Sequence, residues 1–480
     1  MSSAASRILG RGSIYTLASA APMLTGLLVT PALTRSLPIA EYGRVSVAIV
    51  TMQFVLGLLT LGLPLVITRH AHVEGTGTEG ARGLVLTGAL AVLLLSVAVS
   101  SGYLGVAALL GSQTPWPVLL AVVAGGAGAG MAMAQAYALA KEASWFYVAL
   151  AFAMSLAAPA AGLFAILLTS ATASAYFGAV VGVFLLAEIG ALWRIRSAGR
   201  SRTSRREFAD SLRMGLPLVP HQLAIGSATG AAVLVARWQL GIDGGAHAQI
   251  AAWLGTAPLI IVSAIGYAWL PQLLSVPAES RGASLEETSG AIAWLAALGA
   301  SSVALLSPWL LRLLVSSEYD VASMVPATSL VCLTAVVATV FLAYMQLVIA
   351  GGHTQRFALA SPLSLVGGSL VALATIEWLG LAAIGLGYVS TYLLLTLFAR
   401  HESRRCSEVR WSLTRVLPAG AFGLAGCLSG ALLPVDGLVG TPVRAGGAML
   451  CLLGALWLLR RTMTGSREVT TAVAARGDRD

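Results

Sequence analysis

Covalent or hydrolytic chemistry needs positioned acids, bases, nucleophiles or metal ligands, and this chain is sparing with all of them. Lys141 is the sole lysine among 480 residues and follows Ala140, so no GxxxxGKS or GxxxxGKT phosphate loop exists to support ATP hydrolysis. Twenty carboxylates are present, but no HExxH pattern or acid-rich stretch gathers them around a metal. The four cysteines, Cys332, Cys406, Cys427 and Cys451, show no CxxC spacing and read as packing residues, with neither disulfide nor metal site. The run Gly125-Gly-Ala-Gly-Ala-Gly130 lies within an apolar stretch, where small residues serve close helix packing better than a dinucleotide site. The chain is therefore expected to have no catalytic residues, no cofactor and no metal.

Polar groups inside apolar stretches remain. An ionisable side chain at the centre of a spanning helix costs about 2.5–3.5 kcal/mol on insertion scales, which makes it a functional candidate by default. Arg35, Arg237, His221, Gln222, Gln53 and Gln346 form the candidate substrate-binding set, and Glu188 is a candidate for ion coupling. Each has a structural alternative. Arg35 and Arg237 lie near the ends of their stretches and can snorkel to the interface. His221 follows Pro217 and Pro220, which free backbone carbonyls for local hydrogen bonding. Glu188 precedes Arg194 by about a turn and a half and can pair with it on a helix surface. The glutamines can act as interhelical glue.

The elements that carry these residues follow from composition. Hydrophobic residues make up 57% of the chain and charged ones 10%, with a mean hydropathy of +0.85. A soluble domain carries about 25% charge, so a water-soluble fold is excluded. Apolar runs long enough to cross the membrane, about 20 residues each, recur near 13–34, 44–67, 84–110, 117–140, 145–168, 174–193, 214–236, 247–271, 288–311, 323–350, 358–378, 382–399, 416–434 and 438–459. They are continuous, so helices and not a β-barrel follow. Arg7 and Arg11 ahead of the first run resemble a signal peptide, but the run is too long and lacks a convincing cleavage site.

The expected fold is thus all-α and integral to the membrane, with about fourteen transmembrane helices. With both termini cytosolic, all but Arg35, Arg44, Arg237, Arg312 and Arg444 of the 29 cations fall inside. The Ser/Arg-rich break Arg194–Arg206 reads as a cytosolic linker between two halves, and the net charge of +9 suits anionic lipid headgroups, not nucleic acid. The expected division is an N-lobe at 1–194, a basic linker at 195–213, a C-lobe at 214–400, a two-helix hairpin at 401–461 and a disordered cytosolic tail at 462–480. Shifting the numbering by 202 lays Arg35 on Arg237 and Gly43 on Gly245, a weak sign that the lobes repeat one design.

The segment Pro31-Ala-Leu-Thr-Arg-Ser-Leu-Pro-Ile-Ala-Glu-Tyr-Gly43, with Leu61-Gly-Leu63 after it, resembles the opening of the polysaccharide biosynthesis family of O-antigen-type flippases, with Pro38 in place of the usual glycine. Gly215-Leu-Pro-Leu-Val-Pro-His221, Ala268-Trp-Leu-Pro271, Gly351-Gly-His-Thr354 and Gly380-Leu-Ala-Ala-Ile-Gly-Leu-Gly387 are similar to later stretches of that family. The resemblance implies the MOP-type (MATE-like) transporter fold, in which two pseudo-symmetric six-helix bundles surround a cavity and two further helices follow. It also implies alternating access and a polyprenyl-pyrophosphate-linked oligosaccharide as substrate, in a bacterial cytoplasmic membrane. A polysaccharide polymerase and glycosyltransferases are the implied partners, beside membrane lipids. Arg35 and Arg237 could then meet the pyrophosphate from both lobes, since guanidinium groups suit phosphate. Two alternatives stay open: another MOP-type exporter, whether a proton- or sodium-coupled drug antiporter or a lipid II flippase, and a membrane enzyme of polysaccharide assembly.

The orientation is directly testable. In intact cells an impermeant thiol reagent should label Asp243→Cys, in the 237–246 loop, and should miss Arg200→Cys in the linker. Labelling in the opposite sense would invert the topology.

Overall fold

The structure, a computed structural model, describes residues 25–72, 77–109, 116–199, 203–351 and 356–477. Arg7 and Arg11, residues 13–24 of the first expected span, residues 200–202 of the linker and 352–354 of the Gly351–Thr354 motif lie outside them.

Among the described residues the secondary structure is helical throughout, as a solvent without hydrogen-bonding partners demands. The helices are α1 (25–36), α2 (Ile39–Leu59), α3 (Leu63–His72), α4 (Gly77–Leu109), α5 (Trp116–Ala140), α6 (Ser144–Phe152), α7 (Ala158–Leu168), α8 (Ala173–Ser197), α9 (Arg205–Gly215), α10 (Val219–Gly226), α11 (Ala228–Gly255), α12 (Ala257–Ser275), α13 (Arg281–Leu314), α14 (Val321–Ala350), α15 (Phe357–Leu379), α16 (Ala382–Cys406), α17 (Leu417–Leu432) and α18 (Gly440–Gly477). Ten described helices are long and apolar enough to cross a membrane, α6 and α7 counting as one through a π-turn at Ala153–Ala157. An eleventh arises if Arg205–Gly226 and Ala228–Gly255, bent by 57°, form one span.

Two boundaries differ from the hydropathy reading, and one expected turn has a backbone cause. The second span was expected to run to residue 67, but α2 ends at Leu59, because Leu61 (φ 53°) and Gly62 (φ 70°) take left-handed conformations that turn the chain into α3. Within α11, Gly241 (φ 79°) breaks the helix. The chain then folds back, so that a β-carbon on Gly245 would lie 3.3 Å from the Arg237 Cβ. This reversal is the 237–246 turn expected between the seventh and eighth spans. At the other end, α18 continues over 462–477, since no proline follows Pro442 to end it.

The chain forms two compact units. The first comprises 1–249, 313–319 and 355–365, with α5 at its centre. The glycine run of α5 lets α2, α4 and α8 approach its backbone: a β-carbon on Gly125 would sit 2.8 Å from the Met52 carbonyl, one on Gly128 2.7 Å from Leu56, and one on Gly126 would collide with Ser96. These are the close helix contacts expected of the run. The seventh span also packs here, Gly57 against Leu223 and Gly230 against Val50, each at 2.8 Å by the same measure.

The second unit comprises 250–312, 320–354 and 366–480 and is built around α14, which packs against α12, α16 and α17. Asp320 caps α14, accepting from the Ala322 and Ser323 N–H groups at 3.1 and 3.4 Å. Arg444 is the largest fully buried side chain among the described residues. The sequence reading counted it among the cations of the outer face without placing it in the interior. Its Nε donates to the Pro434 carbonyl at 3.1 Å, Nη2 to Gly430 and Leu433 at 3.0 and 2.6 Å, and Nη1 to Leu305 at 3.5 Å. Three of these acceptors are carbonyls left over at the end of α17, and Pro434 has no N–H with which to satisfy Gly430. A cation placed at a helix C-terminus also complements its dipole.

Arg444→Gln should therefore strand several buried carbonyls. Each hydrogen bond from a charged donor contributes about 1.5–3 kcal/mol, so the purified protein should lose about 2 kcal/mol or more, read as a lower thermal midpoint. Arg312→Gln removes an exposed two-pronged pair with Asp436 (2.6 and 2.7 Å) and should cost about 1 kcal/mol or less. Equal small losses would show that Arg444 is not a structural pin.

Candidate functional site

The turn from α1 into α2 holds the first candidate. Arg35 is exposed at the end of α1, with Nη1 donating to its own helix at Pro31 (2.8 Å) and Nη2 to the Leu313 carbonyl (2.9 Å). Its neighbour Thr34 donates to the Leu314 carbonyl at 2.7 Å. Together they clasp the end of α13, so at least two Arg35 donors are engaged within the protein. Pro38 takes an extended conformation (φ −55°, ψ 149°) that starts α2 without a side-chain cap.

The Glu-Tyr-Gly triplet that follows acts as an anchor. Glu41 pairs with Arg44 and accepts the first N–H of α8, from Ala173, at 2.8 Å. Tyr42 is buried edge-on against Tyr319, with ring centroids 6.3 Å apart. Tyr319 in turn lies 5.2 Å from the His247 ring. Burial, with Glu318 and Asp243 beside it, pushes the Tyr319 phenol up and keeps it neutral. Gly43 abuts the Ile242 carbonyl so closely that no side chain would fit. The two turns that the 202-residue offset pairs thus touch each other.

Arg237, before the Gly241 reversal, is exposed and makes no hydrogen bond or ion pair among the described residues. Its guanidinium is therefore available to an anion, whereas that of Arg35 is partly committed. Both arginines belong to the first unit.

At the opposite end of α2, the two motifs Leu61-Gly-Leu63 and Gly215–His221 meet. Gly62 and Gly215 are in backbone contact that excludes a β-carbon at either. From there the 3-10 turn Leu216–Leu218 and α10 bring His221 to Ser361, with Nδ1 to Oγ at 2.7 Å and the ring centroids of His221 and Phe357 6.1 Å apart. That bond fixes the half-buried ring. Gln222 and Gln53 are exposed on α10 and α2, which pack together through Leu223 and Gly57.

Glu188 does not pair with Arg194, whose guanidinium instead stacks 5.0 Å over Phe146. Its carboxyl is half-buried in the space that a side chain on Gly130 would fill, and it makes no hydrogen bond or ion pair among the described residues. Gln346 lies apart from the others, in the second unit. It is buried, donates to the Gly266 carbonyl at 3.0 Å, and leaves its own Oε1 without a partner among the described residues. Its geometry is that of a link between α12 and α14.

The structure thus gathers Arg35, Arg237, His221, Gln222, Gln53 and Glu188 in the first unit without bringing all of them to one point. Sequence reasoning missed Ser361 and Thr34. Ser361 precedes the mid-helix Pro362 and Thr34 adjoins Arg35, but hydroxyls of this kind are common in spanning helices and give no signal by type alone. Among the described residues no group of three or more His, Cys, Asp or Glu side chains could hold a metal.

The sequence profile described as "Polysaccharide biosynthesis protein" matches residues 9–276, more than half of the chain, and the chain belongs to that family. No curated protein matches it. The fold is similar to that of a lipid II flippase, MurJ, in an inward closed conformation, with 13% identity and a TM-score of 0.62 over 94% of this chain and 99% of that one. It is also similar to a multidrug resistance MATE family transporter of the MOP superfamily, inward-facing, with 15% identity and a TM-score of 0.57 over 84% of this chain and 96% of that one. The Vibrio cholerae MATE transporter VcmN in its bent form gives 13% identity and a TM-score of 0.53 over 86% and 98%. The protein is a multi-pass membrane protein with the fold of the MOP superfamily.

Proposed function

We propose that this protein is a flippase that carries a polyprenyl-pyrophosphate-linked oligosaccharide across a bacterial cytoplasmic membrane by alternating access, for cell-surface polysaccharide assembly. Family membership is the observation that carries this reading, and the likeness of fold to a lipid II flippase supports it. In this reading the protein is a transporter and not an enzyme, needs no cofactor, and works beside glycosyltransferases and a polymerase. Its termini and the 195–213 linker are cytosolic, and the lobes 1–194 and 214–400 are the two repeats, with the hairpin 401–461 added to them.

Arg237 is the residue we assign to the pyrophosphate. A lipid-linked pyrophosphate that leaves the headgroup layer needs compensating cations, and a guanidinium supplies a permanent charge with two parallel donors. Arg35 contributes the donors that its carbonyl contacts leave over. His221, held by Ser361, and the exposed Gln53 and Gln222 offer neutral hydrogen bonds suited to a sugar. Glu188 favours a second reading, in which a MATE-like exporter exchanges its substrate for protons or sodium. Its carboxyl lies within a span and is met by neither Arg194 nor any other cation among the described residues.

Complementation of a flippase-deficient strain tests the assignment, with protein levels checked by blot. Arg237→Gln should insert normally and lower transport roughly ten- to a hundredfold, the equivalent of one or two charge-assisted hydrogen bonds. Arg237→Lys should restore part of it. Arg35→Gln should lower transport and also stability, since it releases the end of α13. Full surface-glycan display by both Gln variants at normal levels would make these arginines interface anchors and remove the assignment.

A further inference from the structure

A second buried arginine in this chain is solved differently from Arg444. Arg82 lies near the start of α4, in the first unit, and is only 6% exposed. Of the five donors a guanidinium carries, one is matched among the described residues: Nε donates to the Tyr137 hydroxyl, at 3.4 Å. No carboxylate pairs with it among those residues, although Glu79 lies one turn earlier on α4 and Glu142 follows Lys141. The carbonyls at the end of α5 are already taken, Tyr137 by the Lys141 N–H, Ala138 by Ala143 and Leu139 by Glu142. A buried guanidinium left with one long hydrogen bond is costly unless something else meets it.

The surroundings are built for an anion. Lys141, the sole lysine of the chain, places its Nζ 5.6 Å from the Tyr137 ring centre, so two cations converge on one phenol. Gly199, just beyond α8, abuts Arg82 Nη1 so closely that a side chain there would collide with it. Its φ of +145° belongs to a conformation that favours glycine. The backbone thus closes the approach to Nη1, while the exposed Lys141 ammonium stands by the phenol to which Arg82 donates.

We propose that Arg82, Tyr137 and Lys141 form a binding site for a phosphate group at the end of the first unit where α4 begins and α5 and α8 end. The planar donors of Arg82 suit two phosphate oxygens, Lys141 adds a mobile charge, and the Tyr137 hydroxyl positions the guanidinium while remaining able to donate. In the orientation proposed above this end is cytosolic. The phosphate can come from an anionic lipid headgroup or from a soluble phosphate compound, and the chemistry is the same for both. The site is separate from Arg35 and Arg237 and does not depend on the identity of the transported lipid.

Full-length protein in phosphatidylcholine nanodiscs provides the test, with the thermal midpoint read by tryptophan fluorescence. One arm titrates inorganic pyrophosphate, and the other replaces part of the phosphatidylcholine by phosphatidic acid. A saturable rise in midpoint is expected in at least one arm: in the first for a soluble ligand, in the second for a headgroup. Arg82→Gln should weaken the apparent affinity roughly ten- to a hundredfold, Lys141→Gln should weaken it less, and Arg205→Gln on α9 should leave it unchanged. If Arg82→Gln does not fold, Lys141→Gln and Tyr137→Phe carry the comparison. The proposal is overturned if neither arm gives a saturable rise. It is equally overturned if Lys141→Gln and Tyr137→Phe bind as the parent does, or if Arg205→Gln loses as much as the site variants.

Discussion

Hydrocarbon offers no water to a backbone carbonyl, and most of this structure is a consequence of that fact. Each N–H and C=O must find its partner inside the protein, so the chain crosses as helices. Wherever a helix ends or bends within the packed interior, a side chain or another backbone must take over. Arg444 does so for the end of α17, and Arg35 and Thr34 do so for the end of α13. Glu41 supplies the matching acceptor at the start of α8. Because apolar side chains gain little from facing one another in lipid, helices are held by close approach, and small residues mark where it occurs. The glycine run of α5 and the Gly62–Gly215 contact are the two plainest cases.

The same constraint separates structural arginines from candidate functional ones. An arginine whose donors end on leftover carbonyls is fixing the fold, and Arg444 is the limiting case. One whose donors are mostly unmet among the described residues, as in Arg237 at the surface and Arg82 in the interior, is a candidate to meet an anion. The triplet Glu41-Tyr42-Gly43 falls on the structural side: a helix cap, a buried ring and a point of backbone contact.

Much of the fold was legible in the sequence, because an uninterrupted apolar run of 20 residues has few other uses. The seventh-to-eighth turn was legible as well, since Arg237, Asp243 and two adjoining glycines break such a run. The short helices α3 and α9 were not, because α3 is partly apolar and merges with the span before it until Leu61 and Gly62 turn the chain. Composition gave the candidate residues but not their partners. Glu188 lies at a spacing that permits an Arg194 pair, yet Phe146 takes the guanidinium and the carboxyl turns to Gly130. Arg444 lies close to a loop in sequence and at the centre of a hydrogen-bonded cage in space. Such outcomes depend on which segments the fold brings together, which no local pattern records.

Transport of the lipid-linked saccharide itself tests the account most directly. The purified protein would be reconstituted into liposomes containing a polyprenyl-pyrophosphate oligosaccharide, and the sugar reachable by an impermeant lectin would be followed over time. The account predicts that sugar initially hidden in the inner leaflet becomes reachable without added nucleotide, and that Arg237→Gln slows this step. If the hidden fraction stays constant in liposomes whose protein is folded and correctly inserted, the protein does not flip this class of lipid, and the central claim fails.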